Sequence, residues 1–268
     1  MRAHLVVGGF PAGATAGHDM AWARQRLTEL VGEQPVDLST GENFEGIGDR
    51  LKDCRLLVTY VAGPYPQGND NEALAQWLDA GGRWIGFHGT SGGRAARLDD
   101  GRHGRRMVKT EHHATLGSFF LNHPPVRRFR VDVDTTHPLA EGLPESFEVA
   151  DELYLIELQD PELSQMFLST ELPYNPAPDF GFTVDNDTSL LPDGKTRALG
   201  YTRDVGAGAV AYLALGHCHD PGSNSQPFVD SSVAPEGKTP LTFRGSWDEA
   251  PFVRLVRNAL AWGCQRAT

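Results

Sequence analysis

The sequence predicts an α/β protein in which an open, largely parallel sheet carries helices on both faces. Two observations lead to this fold class. In the first half of the chain, short apolar runs alternate with amphipathic segments, and the runs contain few polar positions. Such runs are typical of strands that helices cover on both sides. After residue 120, apolar residues alternate with polar ones, which predicts additional antiparallel strands.

The first half of the chain predicts strands and helices in turn. Its apolar runs predict strands at His4–Gly9, Pro35–Leu38, Cys54–Val61 and Arg83–Phe87. Apolar residues at helical spacing predict helices at Asp19–Val31, Phe44–Leu51 and Asn71–Ala80. Parallel strands joined by helices follow the right-handed crossover rule, which fixes most of the local topology.

The second half predicts further strands and one closing helix. Its strands are expected at Val126–Val133, Phe147–Ile156 and Met166–Leu168, and as a hairpin of Arg197–Tyr201 with Ala209–Leu215. The closing helix is expected at Ala250–Trp262. We expect residues 1–268 to form one domain with two long loops, 173–196 and 220–248, and loops of that length are usually lids or insertions.

Charge and composition exclude several classes of protein. The 268 residues carry a net charge of −11, from 35 acidic and 24 basic side chains, which argues against binding to nucleic acid or anionic membranes. Cys54, Cys218 and Cys264 are widely spaced, which argues against a disulfide framework or a cysteine zinc site. Strand-like sequence begins by His4 and no apolar run could span a bilayer, so we expect a cytoplasmic protein. Homo-oligomerisation stays open.

One sharp turn stands out because it carries an imidazole. In Gly86-Phe87-His88-Gly89-Thr90 a buried strand ends between small residues, as in a nucleophile elbow, where the strand turns sharply into a helix. The apex of that motif is normally a serine or cysteine, and here it is His88. Because imidazole changes its charge near neutral pH, His88 is a candidate acid, base or metal ligand. A strand-end histidine that bonds a neighbouring loop explains the pattern equally well.

Two further loops place histidines at strand ends. His217 and His219 follow a second apolar strand, and His18-Asp19 lie in the loop after the first one. The carboxyl ends of parallel strands meet at one crevice, so we expect His18, His88 and His217 to approach one another. If they converge, a divalent metal becomes a candidate cofactor, because neutral imidazole suits zinc and neighbouring metals. No GxGxxG or phosphate-loop pattern is present, so neither NAD nor a nucleotide is expected.

A carboxylate pair and three more histidines complete the candidates. Asp151-Glu152 precede a short apolar run and could orient an imidazole or act as an acid/base group, although an exposed strand start explains them too. His112 and His113 are adjacent, so at most one is expected to enter a shared site. Which of these two and His123 does so is left open.

Five segments, taken together and in order, resemble a known family. They are GGRWIGFHG, FLNHP, VDVDTTHPLAEGLPESFEVADELY, GAGAVAYLALGH and LVRNALAWG. Their order and spacing resemble the ThuA-like family, named for trehalose utilisation, over nearly the whole chain. The resemblance implies a flavodoxin-like sheet of the class I glutamine-amidotransferase type. Amidotransferases of that fold carry a cysteine at the elbow, where this chain carries His88, so thioester chemistry on glutamine is not expected.

The family is associated with bacterial use of disaccharides and their 3-keto derivatives, which implies a carbohydrate ligand. On this basis we expect an isomerase or hydrolase that acts on a sugar or keto-sugar by acid/base chemistry, with His88 and His217 as its central groups. Asp151 or Glu152 would orient an imidazole or bind hydroxyls. Trp247 would stack on a sugar face. The other expected ligand-binding residues are His18, Asp19, Thr90, Ser91, His123 and His219.

Two alternatives remain at this stage. A non-catalytic carbohydrate-binding or regulatory protein could keep the fold and lack the chemistry, since fold does not fix function. A serine hydrolase would use Ser91, although that residue lies past the apex of the elbow and no GxSxG pattern frames it.

Overall fold

The computed structural model describes residues 1–9, 11, 14–98 and 104–265. Within them, thirteen strands occur in chain order: β1 Arg2–Gly9, β2 Asp37–Gly41, β3 Cys54–Ala62, β4 Arg83–Phe87, β5 Arg94–Arg97, β6 Arg105–Val108, β7 Ser118–Asn122, β8 Arg127–Val133, β9 Ser146–Asp151, β10 Leu155–Leu158, β11 Ser164–Glu171, β12 Thr196–Val205 and β13 Gly208–Leu213. The α-helices are α1 Met20–Gly32, α2 Ile47–Leu51, α3 Asn69–Asp79, α4 His112–Leu116 and α5 Ala250–Cys264.

The predicted parallel core is confirmed. Five strands run parallel in the order β2-β1-β3-β4-β13, which is the flavodoxin-like order when β13 is taken as the fifth strand. Helices α1 and α5 pack together against one face, and α2 and α3 pack together against the other. The central strands are buried along nearly their whole length, which explains their continuous apolar runs.

Antiparallel strands extend this core from β13 outward in the order β12-β11-β8-β9. The predicted hairpin is present, with β12 and β13 paired from Gly200–Leu213 to Val205–Gly208. The predicted strand at Phe147–Ile156 is wrong as a single element. Strand β9 ends at Asp151, and β10 begins at Leu155 in a separate two-stranded sheet with β7. Residues 152–154 leave the sheet between them.

The elbow also departs from the sequence-based expectation. No helix follows His88; residues His88–Ser91 form one 3₁₀ turn, and the chain then enters the hairpin of β5 and β6. A Cβ on Gly93 would lie 2.5 Å from the backbone oxygen of Val108, so the hairpin packs too closely here for a larger residue.

One contiguous hydrophobic core joins the first strand to the last helix, from Ala3 on β1 to Leu260 on α5. Among the described residues, no helix has both the length and the apolar character that crossing a bilayer requires.

Candidate functional site

The carboxyl edge of the parallel strands borders a cavity of about 870 Å³. The loop after β1 brings His18 to this edge, and the turn after β4 brings His88. His217 follows β13, and Glu152 lies in the segment between β9 and β10. A crevice outside the carboxyl ends of the strands is where open α/β sheets bind their ligands. The expected convergence of the histidine-bearing loops is therefore present.

Four buried side chains meet at the floor of this cavity, and we call them the tetrad: His18, His88, Glu152 and His217. His18 and Glu152 line the cavity, whereas His88 and His217 do not. Each offers one nitrogen or oxygen atom, and these atoms all lie within 4.8 Å of one another. Oε2 of Glu152 lies 3.1 Å from Nε2 of His88 and 3.2 Å from Nδ1 of His217. Nδ1 of His18 lies 3.1 Å from Nδ1 of His217. The tetrad is compact enough to surround a single metal ion.

The backbone at His88 is held in an unusual conformation. Its φ angle is +44°, in the left-handed region that residues with a Cβ rarely adopt. Its Nδ1 lies 2.8 Å from the carbonyl oxygen of Ala214, and its ring stacks on Tyr154 at 3.9 Å between centroids. A carbonyl oxygen only accepts, so Nδ1 carries a hydrogen, and Nε2 is the nitrogen that faces the tetrad.

A second chain of hydrogen bonds sets the tautomer of His217. Nε2 of His219 lies 2.9 Å from the carbonyl oxygen of Pro240, so this nitrogen donates and Nδ1 of His219 accepts. Nε2 of His217 lies 2.9 Å from that Nδ1 and donates to it. Nδ1 is therefore the nitrogen of His217 that faces Glu152, at 3.2 Å from Oε2. The partner of an imidazole commonly fixes which nitrogen is free for a metal in this way.

Nε2 of His88 and Nδ1 of His217 both face Oε2 of Glu152, at 3.1 and 3.2 Å. A carboxylate only accepts hydrogen bonds, so each imidazole either donates a hydrogen to this oxygen as a protonated ring or, as a neutral ring, needs a cation between them. Burial alone would raise the pKa of Glu152, but the surrounding imidazoles of His123, His217 and His88 hold that pKa well below its usual value. Burial holds the pKa of His18 well below its usual value, so this ring stays neutral. A cation among the four atoms would satisfy all of them.

Asp151 has a structural role that differs from the expected catalytic one. Its carboxylate accepts backbone N–H bonds from Gly216 at 2.9 Å and His217 at 3.0 Å, and a short hydrogen bond from the Ser246 hydroxyl. Asp151 is fully buried and does not line the cavity. It fixes the loop that carries His217. Its bonds also end β9 and send Glu152 into the site.

Other predicted ligand-binding residues are occupied by structural contacts. Thr90 bonds the hydroxyl and backbone oxygen of Thr59, both at 3.1 Å. The hydroxyl of Ser91 contacts the Tyr212 hydroxyl at 2.6 Å rather than an imidazole, so this contact does not support the serine-hydrolase alternative. Both residues are fully buried, and neither lines the cavity. The structure therefore adds no support to the predicted ligand-binding roles of Thr90 and Ser91, which stay predictions.

Asp19 and Trp247 likewise act away from the cavity. Asp19 caps α1 by accepting from the backbone of Trp22 at 3.0 Å and forms an ion pair with Arg244 at 3.0 Å. Trp247 is 4 % exposed and donates its indole N–H to the carbonyl oxygen of Gly216 at 2.8 Å. The Trp247 side chain lies in the core beneath the His217 loop and does not line the cavity, so its predicted sugar-stacking role gains no support from the structure.

The remaining histidines divide between support and the cavity. His112 and His113 are buried and reach the carbonyl oxygens of residues 90–92 through Nε2, at 2.9 to 3.2 Å, so they brace the elbow from outside the tetrad. His123 lines the cavity, and its Nε2 lies 3.6 Å from Oε1 of Glu152. Burial lowers the pKa of His123, which keeps the ring neutral as a proton acceptor.

The walls of the cavity are aromatic, and sequence patterns did not single out these side chains. They are Tyr65, Phe120, Tyr154, Phe180, Phe182 and Phe228. The two long loops supply three of them: Phe180 and Phe182 come from 173–196, and Phe228 comes from 220–248. Phe180 and Phe228 meet edge to face with their centroids 5.3 Å apart. Aromatic side chains other than the predicted Trp247 therefore line the cavity. Gln226, which also lines the cavity, was not predicted either.

Comparison with known proteins agrees with this architecture. The sequence profile of the ThuA family, described as trehalose utilisation, matches residues 11–230. No curated protein sequence matches the chain. A solved ThuA-like protein from Bacteroides uniformis has a TM-score of 0.61 at 18 % identity, over 100 % of this chain and 93 % of its own. One from Parabacteroides merdae has a TM-score of 0.57 at 16 % identity, over 100 % of this chain and 91 % of its own.

A β-galactosidase from Rahnella sp. R3 has a TM-score of 0.53 at 12 % identity, over 89 % of this chain and 31 % of its own. At such identities these likenesses show the fold alone.

Proposed function

The chain belongs to the ThuA family, described as trehalose utilisation, and we propose that it is a metal-assisted enzyme acting on a sugar or keto-sugar. The observation that carries the proposal is the tetrad, whose four buried ligand atoms lie within 4.8 Å of one another, with Nε2 of His88 and Nδ1 of His217 both facing Oε2 of Glu152. Three imidazoles and a carboxylate are a donor set that suits zinc and neighbouring divalent metals. The nearest alternative occupants are protons, which would make the site an imidazole acid/base centre.

Each member of the tetrad has a distinct task in this proposal. His18, His88 and His217 would hold the metal through neutral nitrogens, and Glu152 would supply the negative charge. When bound, the metal would polarise the oxygen of a carbonyl or hydroxyl group. A keto-sugar has acidic protons beside its carbonyl, and a base in the cavity could remove one of them.

His123 is the group best placed to exchange that proton. It is the histidine outside the tetrad that lines the cavity, and burial keeps its ring neutral by lowering its pKa. It packs against Phe180 with centroids 5.6 Å apart, on the side where the aromatic walls begin. Those walls would hold the apolar face of a pyranose ring, and the polar groups on the floor would bind its hydroxyls.

A non-catalytic carbohydrate-binding protein is the second candidate. The observation that favours it is the depth of burial, since His88 and His217 are both fully buried. A metal at that depth could serve the structure instead of the reaction. The two candidates differ in whether the sugar changes during incubation.

Metal analysis tests the proposal directly. After treatment with a chelator and reloading with Zn²⁺, the wild-type chain should hold about one ion, and His217→Gln should hold none. His137→Gln is the matched control, because His137 bonds Thr202 at 2.9 Å, outside the tetrad. Incubation of the loaded protein with trehalose and its 3-keto derivative, followed by chromatography, separates an enzyme from a binder. Equal metal content in wild type and His217→Gln would remove the tetrad from the proposal.

A further inference from the structure

Gln226 reaches the tetrad from the long loop 220–248. Its side-chain nitrogen makes a short hydrogen bond to Oε1 of Glu152, the oxygen that faces away from His88 and His217. The residue is 7 % exposed and lines the cavity. The two oxygens of Glu152 therefore have different partners. Oε2 contacts His88 and His217 of the tetrad, and Oε1 accepts the hydrogen bond from Gln226.

The orientation of the Gln226 amide follows from its partner. A carboxylate only accepts hydrogen bonds, so the amide nitrogen must face Glu152 and the amide oxygen must face away. That oxygen is buried and has no hydrogen-bond partner among the described residues. A buried acceptor without a partner is destabilising. The unpaired oxygen therefore belongs to the same amide whose nitrogen holds Glu152.

The residues around Gln226 tie the loop to the rest of the site. A Cβ on Gly17, next to His18, would lie 2.6 Å from the Ser225 hydroxyl, so segment 225–228 packs closely on that loop. Phe228, at the other end of the segment, contacts Phe180 of the other long loop, 173–196. The segment therefore touches the loop of one tetrad member, holds another, and forms part of the cavity wall.

We propose that Gln226 is a positioning residue that holds Glu152 ready for a cation, so that metal binding at the tetrad and seating of segment 225–228 are coupled. This inference rests on the proposed function for the identity of the cation site. Outer partners of metal ligands commonly set affinity in this manner, and coupling between two events is reciprocal. Binding of an ion at the tetrad should therefore reduce the mobility of loop 220–248. Packing of segment 225–228 against the site should in turn raise the affinity of the tetrad for the ion.

The test compares wild type with Gln226→Met, which keeps the length of the side chain and loses its donor. Gln226→Asn is a second variant, because it keeps an amide that is too short to reach Glu152. Gln67→Met is the matched control, since Gln67 lines the same cavity and, among the described residues, forms a hydrogen bond only through its backbone oxygen. Affinity for Zn²⁺ is measured by competition with a chelator. Cleavage within 220–248 is measured by limited proteolysis, with and without Zn²⁺, and the melting temperature of the metal-free proteins reports the fold.

We expect both Gln226 variants to bind Zn²⁺ about 10- to 100-fold more weakly, with unchanged melting of the metal-free protein. Zn²⁺ should protect the loop from cleavage in wild type and Gln67→Met but not in Gln226→Met. Wild-type affinity in both Gln226 variants would overturn the inference and leave the proposed function standing. If wild type binds no Zn²⁺, the proposed metal site is wrong, and cleavage of the metal-free proteins tests the contact between Gln226 and Glu152. Faster cleavage of Gln226→Met than of wild type would support the positioning of loop 220–248 by this contact. Equal cleavage would overturn it.

Discussion

Nε2 of His217 donates to Nδ1 of His219 across 2.9 Å, and this contact decides which nitrogen of His217 faces Glu152. His219 can accept there only because its own Nε2 donates to Pro240. A residue outside the tetrad, bonded to one of its members, therefore helps to set the protonation pattern inside it.

Replacing His219 should weaken metal binding without removing a ligand. His219→Ala deletes the acceptor for His217, and we expect affinity for Zn²⁺ to fall about 10- to 100-fold in a chelator competition. His219→Gln keeps a side-chain oxygen that can accept, so it should retain more of the affinity. If alanine and glutamine bind Zn²⁺ as tightly as wild type, the His217 tautomer is set by something other than His219.

Alanine variants are usually more stable than glycine variants at the same position. The left-handed backbone at His88 predicts the opposite order there. Both His88→Ala and His88→Gly remove the imidazole, but only glycine adopts a φ of +44° without strain. In the metal-free protein we expect the glycine variant to be more stable than the alanine variant by about 1 kcal/mol in urea unfolding. Greater stability of the alanine variant would show that the turn relaxes when the imidazole is lost.

Removal of the exposed Phe228 ring at the cavity mouth should lower the affinity for sugar and leave the stability of the fold nearly unchanged. Phe228 is 49 % exposed, so Phe228→Ala should leave the melting temperature nearly unchanged. Loss of its stacking surface should weaken sugar binding about 3- to 10-fold in calorimetry. Tyr174→Ala is the control, because Tyr174 is 69 % exposed on the other long loop and does not line the cavity. Equal losses in both variants would argue against a specific wall.

His4, far from the tetrad, should make the fold sensitive to acid. Burial, with Arg50 nearby, lowers the pKa of His4 from 6.5 to about 4. Above pH 6.5 the ring is neutral in both folded and unfolded chains, and below it the unfolded chain takes up the proton first. The free energy of unfolding should therefore fall as pH drops from about 6.5 to about 4, by about 1.4 kcal/mol per unit of depression at most.

The variant His4→Gln should flatten this part of the pH profile of metal-free protein. Glutamine can keep the hydrogen bond that His4 makes to Ser39 at 2.8 Å, so the comparison isolates the titration. Parallel profiles for wild type and variant would contradict the assignment.

The sequence predicted the sheet and its central histidines because both depend on local pattern. Apolar runs located the parallel strands, and the rule that strand ends meet brought His18, His88 and His217 together. The roles of Asp151 and Glu152 could not be separated in this way. Adjacent residues share a pattern, and only the tertiary partners reveal that Gly216 and Ser246 hold the first while the second enters the site.

The cavity-lining residues of the two long loops could not be predicted from the sequence. Trp247 and Phe228 both lie in 220–248, and composition alone favoured the larger ring as the stacking surface. Whether a side chain faces the core or the cavity depends on packing against distant elements, such as Phe252 beside Trp247 and Phe180 beside Phe228. Gln226 carried no signal at all, since a lone amide in a polar loop resembles any other.

The burial of the tetrad has a kinetic consequence. An ion at the floor of the cavity would have to pass between the aromatic walls, and His88 and His217 have no exposed surface of their own. Exchange with the medium would then wait for the loops to open, so residence times should be long compared with those at an open coordination site. The metal content of a preparation would record the ions present while the chain folded, and brief dialysis would leave that record unchanged.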